Sequence, residues 1–113
     1  MLAPAVGSEY VRAVRVIALR TLRQFWETHP QGREAEGALR AWHAEAERAD
    51  WATPADVKAQ YRSASVLKSG RVVFNIAGNK FRLVVQINFA YRVVYVRFVG
   101  THGEYDAVDA DTV

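Results

Sequence analysis

Two short stretches near the C-terminal end of the chain carry side chains able to move protons and hold anions. One is GNKFRL, residues 78–83, with Asn79, Lys80 and Arg82; the other is THGEYD, residues 101–106, with His102, Glu104 and Tyr105. An imidazole titrates near neutral pH and a planar guanidinium matches two phosphate oxygens, so these types suit an acid or base beside a cation clamp. Thr101 followed three residues later by Glu104 has the form of a capping box, which starts a helical turn and puts His102 and Tyr105 on one side of it. Capping boxes are common. Spacing alone favours a histidine at a solvated helix start over a reactive one.

The charge pattern adds a second signal. Net charge is only +3, but residues 57–103 hold Lys58, Arg62, Lys68, Arg71, Lys80, Arg82, Arg92 and Arg97 without a single Asp or Glu. Glu104, Asp106, Asp109 and Asp111 then follow with no basic residue among them. A stretch of that kind attracts a polyanion through phosphate contacts and counterion release. The same charges equally describe a solvated basic surface, or one that meets an acidic protein.

These side chains need a sheet to position them. Val72, Phe74 and Ile76 alternate with Val73 and Asn75, and Ala77 to Lys80 form a turn where Gly78 and Asn79 tolerate positive φ. The next strand is the clearest: Phe81, Leu83, Val85, Ile87 and Phe89 on one face, Arg82, Val84, Gln86 and Asn88 on the other. After a turn at Ala90 and Tyr91, a third strand is expected to put Val94, Val96 and Phe98 on the core face and Val93, Tyr95, Arg97 and Val99 opposite. Arg82, Arg97, Asn75 and Gln86 thus share the polar face, and helices should cover the other.

The first half of the chain supplies those helices. A strand is expected over Arg12–Ile17, at a sheet edge or beside the last strand. A helix follows over 18–28, with Leu19, Leu22, Phe25 and Trp26 at helical spacing and an end at His29-Pro30. A second helix runs over 31–49 with Ala35, Ala38, Leu39, Trp42, Ala46 and Ala49 in one stripe. Trp26 and Trp42 read as core, and His29 and His43 as structural. Thr53-Pro54 opens a short helical turn with Trp51 and Val57 inward. Residues 61–70 are a loop with a brief extended piece at 65–67, bringing Arg62 and Lys68 beside the sheet. The expected architecture is α+β in two layers, an antiparallel sheet of about four strands on a helical hairpin, forming one domain over residues 1–113 with a frayed extension at 1–10.

Composition sets the outer limits. At 113 residues, 50% apolar and 24% charged, the chain is a globular protein with a good core. It has no cysteine, which excludes disulfides, thiolate zinc sites and a cysteine nucleophile. Arg12, Arg15 and Arg20 interrupt the apolar start, so no secretory or membrane-spanning run survives, and Glu9 with the strand-like RAVRVIA argues against a transit peptide. The expected location is the cytoplasm.

The run VVFNIAGNKFRLVVQINF followed by VYVRFVGTHGEYD resembles the HigB branch of the RelE-like (RelE/ParE) bacterial toxins. HPQGREAEGALRAW and the spacing of Trp51 with Asp56, Val57 and Lys58 agree, and the likeness spans roughly Arg15 to Val108. The longer N-terminus and Phe81, where Tyr is often found, are departures. The resemblance implies a RelE-like fold, a toxin that cleaves messenger RNA on the ribosome, and a HigA-like helix-turn-helix antitoxin as partner. The positions that match its motifs are Asn79, Lys80, Arg82, His102, Glu104 and Tyr105, of which Lys80, Arg82, His102 and Tyr105 are expected to be catalytic; the basic stretch adds Lys68, Arg71 and Arg97, expected with Asn79 on the RNA.

To cut RNA without a metal, a base must take the 2′-OH proton, a cation must neutralise the phosphorane, and an acid must protonate the leaving 5′-oxygen. The chain holds three scattered His and no ligand pair at metal spacing, so neither a metal nor a cofactor is expected. Arg82 or Arg97 suits the clamp, His102 proton transfer, Lys80 a second cation or base, and Tyr105 base stacking or proton positioning. Two other readings stand beside this one. Phe81, Tyr91 and Tyr95 on a basic sheet would also serve a non-catalytic RNA-binding module, and the basic face would serve a protein-interaction domain.

Overall fold

The computed structural model describes residues 14–113, so the extension expected at 1–10 and the first residues of the expected strand, Arg12 and Ala13, lie outside the described residues. In chain order the elements are β1 (Arg15–Ile17), α1 (Leu19–Thr28), α2 (Gly32–Arg48), α3 (Pro54–Gln60), β2 (Ser65–Val66), a 3₁₀ turn (Lys68–Gly70), β3 (Arg71–Ile76), β4 (Phe81–Asn88), β5 (Val93–Thr101) and α4 (His102–Asp106). The fold is α+β, consistent with a RelE-like architecture. One sheet runs in the order β1-β5-β4-β3-β2, with the most strictly alternating strand at its centre.

The sheet differs in detail from the four antiparallel strands expected. Ser65 and Val66 pair with Val73 and Val72 to add a fifth strand, too short to show any alternation. β1 runs parallel to β5, with Arg15 opposite Val93 and Ile17 opposite Tyr95, so the sheet is mixed. Parallel neighbours need a long crossover, and the α1–α2 hairpin begins that connection. Among the described residues no helix is long and apolar enough to cross a membrane.

The helical hairpin covers one face. Leu22, Phe25 and Trp26 of α1 and Ala35, Leu39, Trp42 and Ala46 of α2 join Val72, Phe74, Ile76, Phe81, Leu83, Val85, Ile87 and Val94 in a single buried cluster. Trp42 meets Phe74 at 5.4 Å between ring centroids. Trp51 stacks on the same ring at 6.0 Å and Tyr61 meets it edge-on at 5.1 Å. The hairpin is tight because Gly32 opens α2 against α1: a Cβ there would lie 2.2 Å from the Phe25 carbonyl oxygen. α3 starts as expected, Thr53 accepting from Asp56 N–H and Asp56 accepting from Thr53 N–H, with Pro54 in the first turn.

One expectation about β5 fails. Val84 pairs with Phe98 and Val85 with Val96, so Arg97 is an extra residue in a β-bulge. The bulge inverts the alternation beyond it. Val99 pairs with Leu83 and packs on the core, while Phe98 moves to the far face opposite Val84.

Candidate active site

The antiparallel register of β4 and β5 brings the two motifs together. Phe81 lies opposite Thr101 and Arg82 opposite Gly100, and His102 N–H donates to the Lys80 carbonyl at 3.0 Å. The turn that carries Asn79 and Lys80 therefore abuts the start of α4. Positive φ at Ala77 and Gly78 makes this turn, and nothing lies within 4 Å of the place a Gly78 Cβ would take, so its glycine answers to backbone shape rather than to packing.

α4 is one turn long and depends on its cap, since so short a helix cannot sustain itself. Thr101 Oγ1 accepts from Glu104 N–H at 3.1 Å, and Glu104 Oε1 accepts from Thr101 N–H at 2.8 Å. That cap fixes where His102 and Tyr105 leave the backbone. His102 is exposed, its Nδ1 3.2 Å from Asp106 Oδ2, and Tyr105 is half-buried.

The cations at this corner are arranged differently from one another. Arg82 folds its Nη1 onto the carbonyls of Asn79 and Phe81, at 3.0 and 3.1 Å, which steadies the turn and leaves the other guanidinium donors for an anion. Lys80 Nζ reaches Glu34 Oε1 on α2 at 3.3 Å, an exposed pair that a polyanion can displace at little cost.

His29 stands at the same corner, where the sequence suggested only a structural histidine. Pro30 forces the preceding residue out of helical geometry, and His29 takes φ −73° and ψ 140°. Its ring lies 4.6 Å from that of Phe25, and its Nε2 is 2.9 Å from Glu104 Oε2. The Glu104 carboxyl is held below the ordinary carboxylate range, first by Thr101 N–H and then by His29. The two partners are 75 residues apart in the chain, and although the capping box and the THGEYD motif marked Glu104 beforehand, neither pointed to His29.

Lys68 and Arg71 lie elsewhere. Arg71 faces Gln86, five residues along β4 from Phe81, so they sit about 17 Å from the corner. Arg71 is 9% exposed and donates to Gln86 Oε1 at 3.1 Å and to the Asp111 carbonyl at 3.4 Å. Lys68 is exposed beside Asp111 in a groove with Val66 and Leu67. Arg97, at the bulge, stands over the Tyr95 ring at 5.7 Å and borders a groove of about 540 Å³ between α1 and β5 that also includes His29.

The sheet face opposite the helices is less open than its cations suggested. Val73 and Val84 pair with each other on it and are buried, yet stand outside the helix-side core. After α4 the chain runs from the Lys80 end of the sheet to Arg71 at the other. Tyr105, Val108, Ala110 and Val113 are at least partly buried along it, and Asp106, Asp109 and Asp111 face solvent. Among the described residues no three His, Asp or Glu gather to hold a metal ion.

A comparison with curated proteins finds no match for the chain. A family model matches residues 35–108, from α2 through the capped corner and both motifs. The chain belongs to the HigB toxin family, the RelE-like toxic component of a toxin–antitoxin system, and so is a toxin with an antitoxin as its partner.

Proposed function

We propose that this toxin is an endoribonuclease that cuts messenger RNA on the ribosome, without metal or cofactor, at the corner where the Asn79–Lys80 turn meets α4. The observation that carries the reading is the register that sets Lys80 and Arg82 beside His102. The 2′-oxygen attacks the adjacent phosphorus as its proton passes to a base. The bond from phosphorus to the 5′-oxygen breaks, and that oxygen takes a proton, leaving a 2′,3′-cyclic phosphate and a 5′-hydroxyl. His102 is the proton-transfer group, Arg82 clamps the phosphorane and Lys80, released from Glu34, adds a second positive charge. Tyr105 stacks a neighbouring base. Asn79 shapes the turn, while exposed Lys68 and Arg97 extend the path of the phosphates, and Arg71 anchors the C-terminal segment.

The substrate and the ribosome place this activity in the cytoplasm, where a HigA-like helix-turn-helix antitoxin holds it in check. Incubating the toxin with translating ribosomes and mapping RNA 5′ ends tests the reading: new ends within translated messages are expected, and their absence overturns it. A second reading rests on exposed Tyr91 and on Arg97 over Tyr95, which suit base stacking by a binding module. Strong RNA binding with no new ends would favour that module.

A further inference from the structure

We propose that His29, outside both motifs, is a positioning residue of the corner: as the neutral Nε2–H tautomer it locks the Glu104 carboxylate that caps α4. The inference deepens the ribonuclease reading and rests on it for its effect on rate.

The tautomer follows from the hydrogen bonds. Gln31 N–H donates to His29 Nδ1 at 3.0 Å. A backbone amide can only donate, so Nδ1 carries no proton and the ring proton sits on Nε2. Nε2 then donates to Glu104 Oε2 at 2.9 Å. Glu104 passes the constraint on through its other oxygen, which holds Thr101 N–H at 2.8 Å. Gly100 leaves room for that carboxylate, because a Cβ there would lie 2.9 Å from Oε1.

The chain Gln31, His29, Glu104, Thr101 therefore ties the C-terminal end of α1 to the first turn of α4. Both ends of the imidazole are used. His29 neither touches the reacting phosphate nor shuttles its proton; it sets the direction in which His102 and Tyr105 project. A short capped turn supplies little rigidity of its own, and a shift of an ångström in a proton-transfer group is costly in rate.

The test uses the full chain with three substitutions. Gln places an amide nitrogen near the position of imidazole Nε2, whereas Asn places one near Nδ1. His29→Gln should retain cleavage on translating ribosomes, while His29→Ala and His29→Asn should lose about 10- to 100-fold in kcat with KM within about twofold. Two readouts are independent of activity. Long-range nitrogen–proton correlation of the imidazole should show Nε2–H in the wild type, and the Thr101 amide should exchange faster in His29→Ala than in His29→Gln. An Nδ1–H tautomer, equal Thr101 exchange in the variants, or full kcat in His29→Ala would each overturn the proposal while leaving the ribonuclease reading intact. A wild type that cuts nothing would remove both the ribonuclease reading and the role in rate assigned to His29.

Discussion

Single side chains at the corner have separable jobs, and substitution should part them. His102→Ala removes the proposed proton-transfer group from an exposed position, so cleavage should fall by about 10²- to 10⁴-fold while thermal unfolding stays close to that of the wild type. Glu104 makes a different prediction because its role is structural. Thr101 N–H and His29 lower its folded pKa below the ordinary 4.5, so its contribution to stability is present above that pH and fades as pH falls through the lowered value. Protection of the Thr101 amide, taken relative to the intrinsic exchange rate at each pH, should therefore fall in acid before protection in β4 does, and Glu104→Gln should abolish that pH dependence. The sequence marked Glu104 as a cap and His102 and Tyr105 as neighbours, since both follow from spacings of three. His29 escaped because its partner is brought to it by tertiary folding, and no local pattern records such a contact.

At the scale of elements, the strands and helices were legible wherever apolar residues kept a period. β4 and the stripe of α2 show this well, and Thr53 and Thr101 announced two helix starts correctly. The bulge at Arg97 was not legible, because Arg, Phe and Val all suit a strand and an inserted residue changes only the register that follows. β2 was marked only as an extended piece at 65–67, because two residues are too few to show that they pair as a strand. The α1–α2 hairpin turns on Gly32, where a Cβ would meet backbone atoms of Phe25 and Trp26 that cannot swing aside. Gly32→Ala should cost about 3 kcal/mol, at the upper end of overpacking, and chemical denaturation would measure it. The same change at Gly37, where a Cβ would meet nothing within 4 Å, should not destabilise the helix.

For the molecule as a whole, one buried ring links the helices to the sheet. Phe74 touches Trp42 from α2, Trp51 before α3 and Tyr61 after it. Phe74→Ala should lower stability by about 3–5 kcal/mol, with a single cooperative transition seen by fluorescence and circular dichroism alike. Charge arithmetic foretold the basic sheet but not its cover, since four acids near the end of a chain do not say where that end lies. The central claim concerns how the whole fold brings residues 79–82 to residues 101–105. It is tested most directly by analysing the RNA ends made on translating ribosomes by the wild type, His102→Ala and Arg82→Ala side by side. The account predicts 2′,3′-cyclic phosphate and 5′-hydroxyl ends from the wild type and a loss of at least about 100-fold in each variant. Full cleavage by both folded variants, or ends of another chemistry, would contradict it.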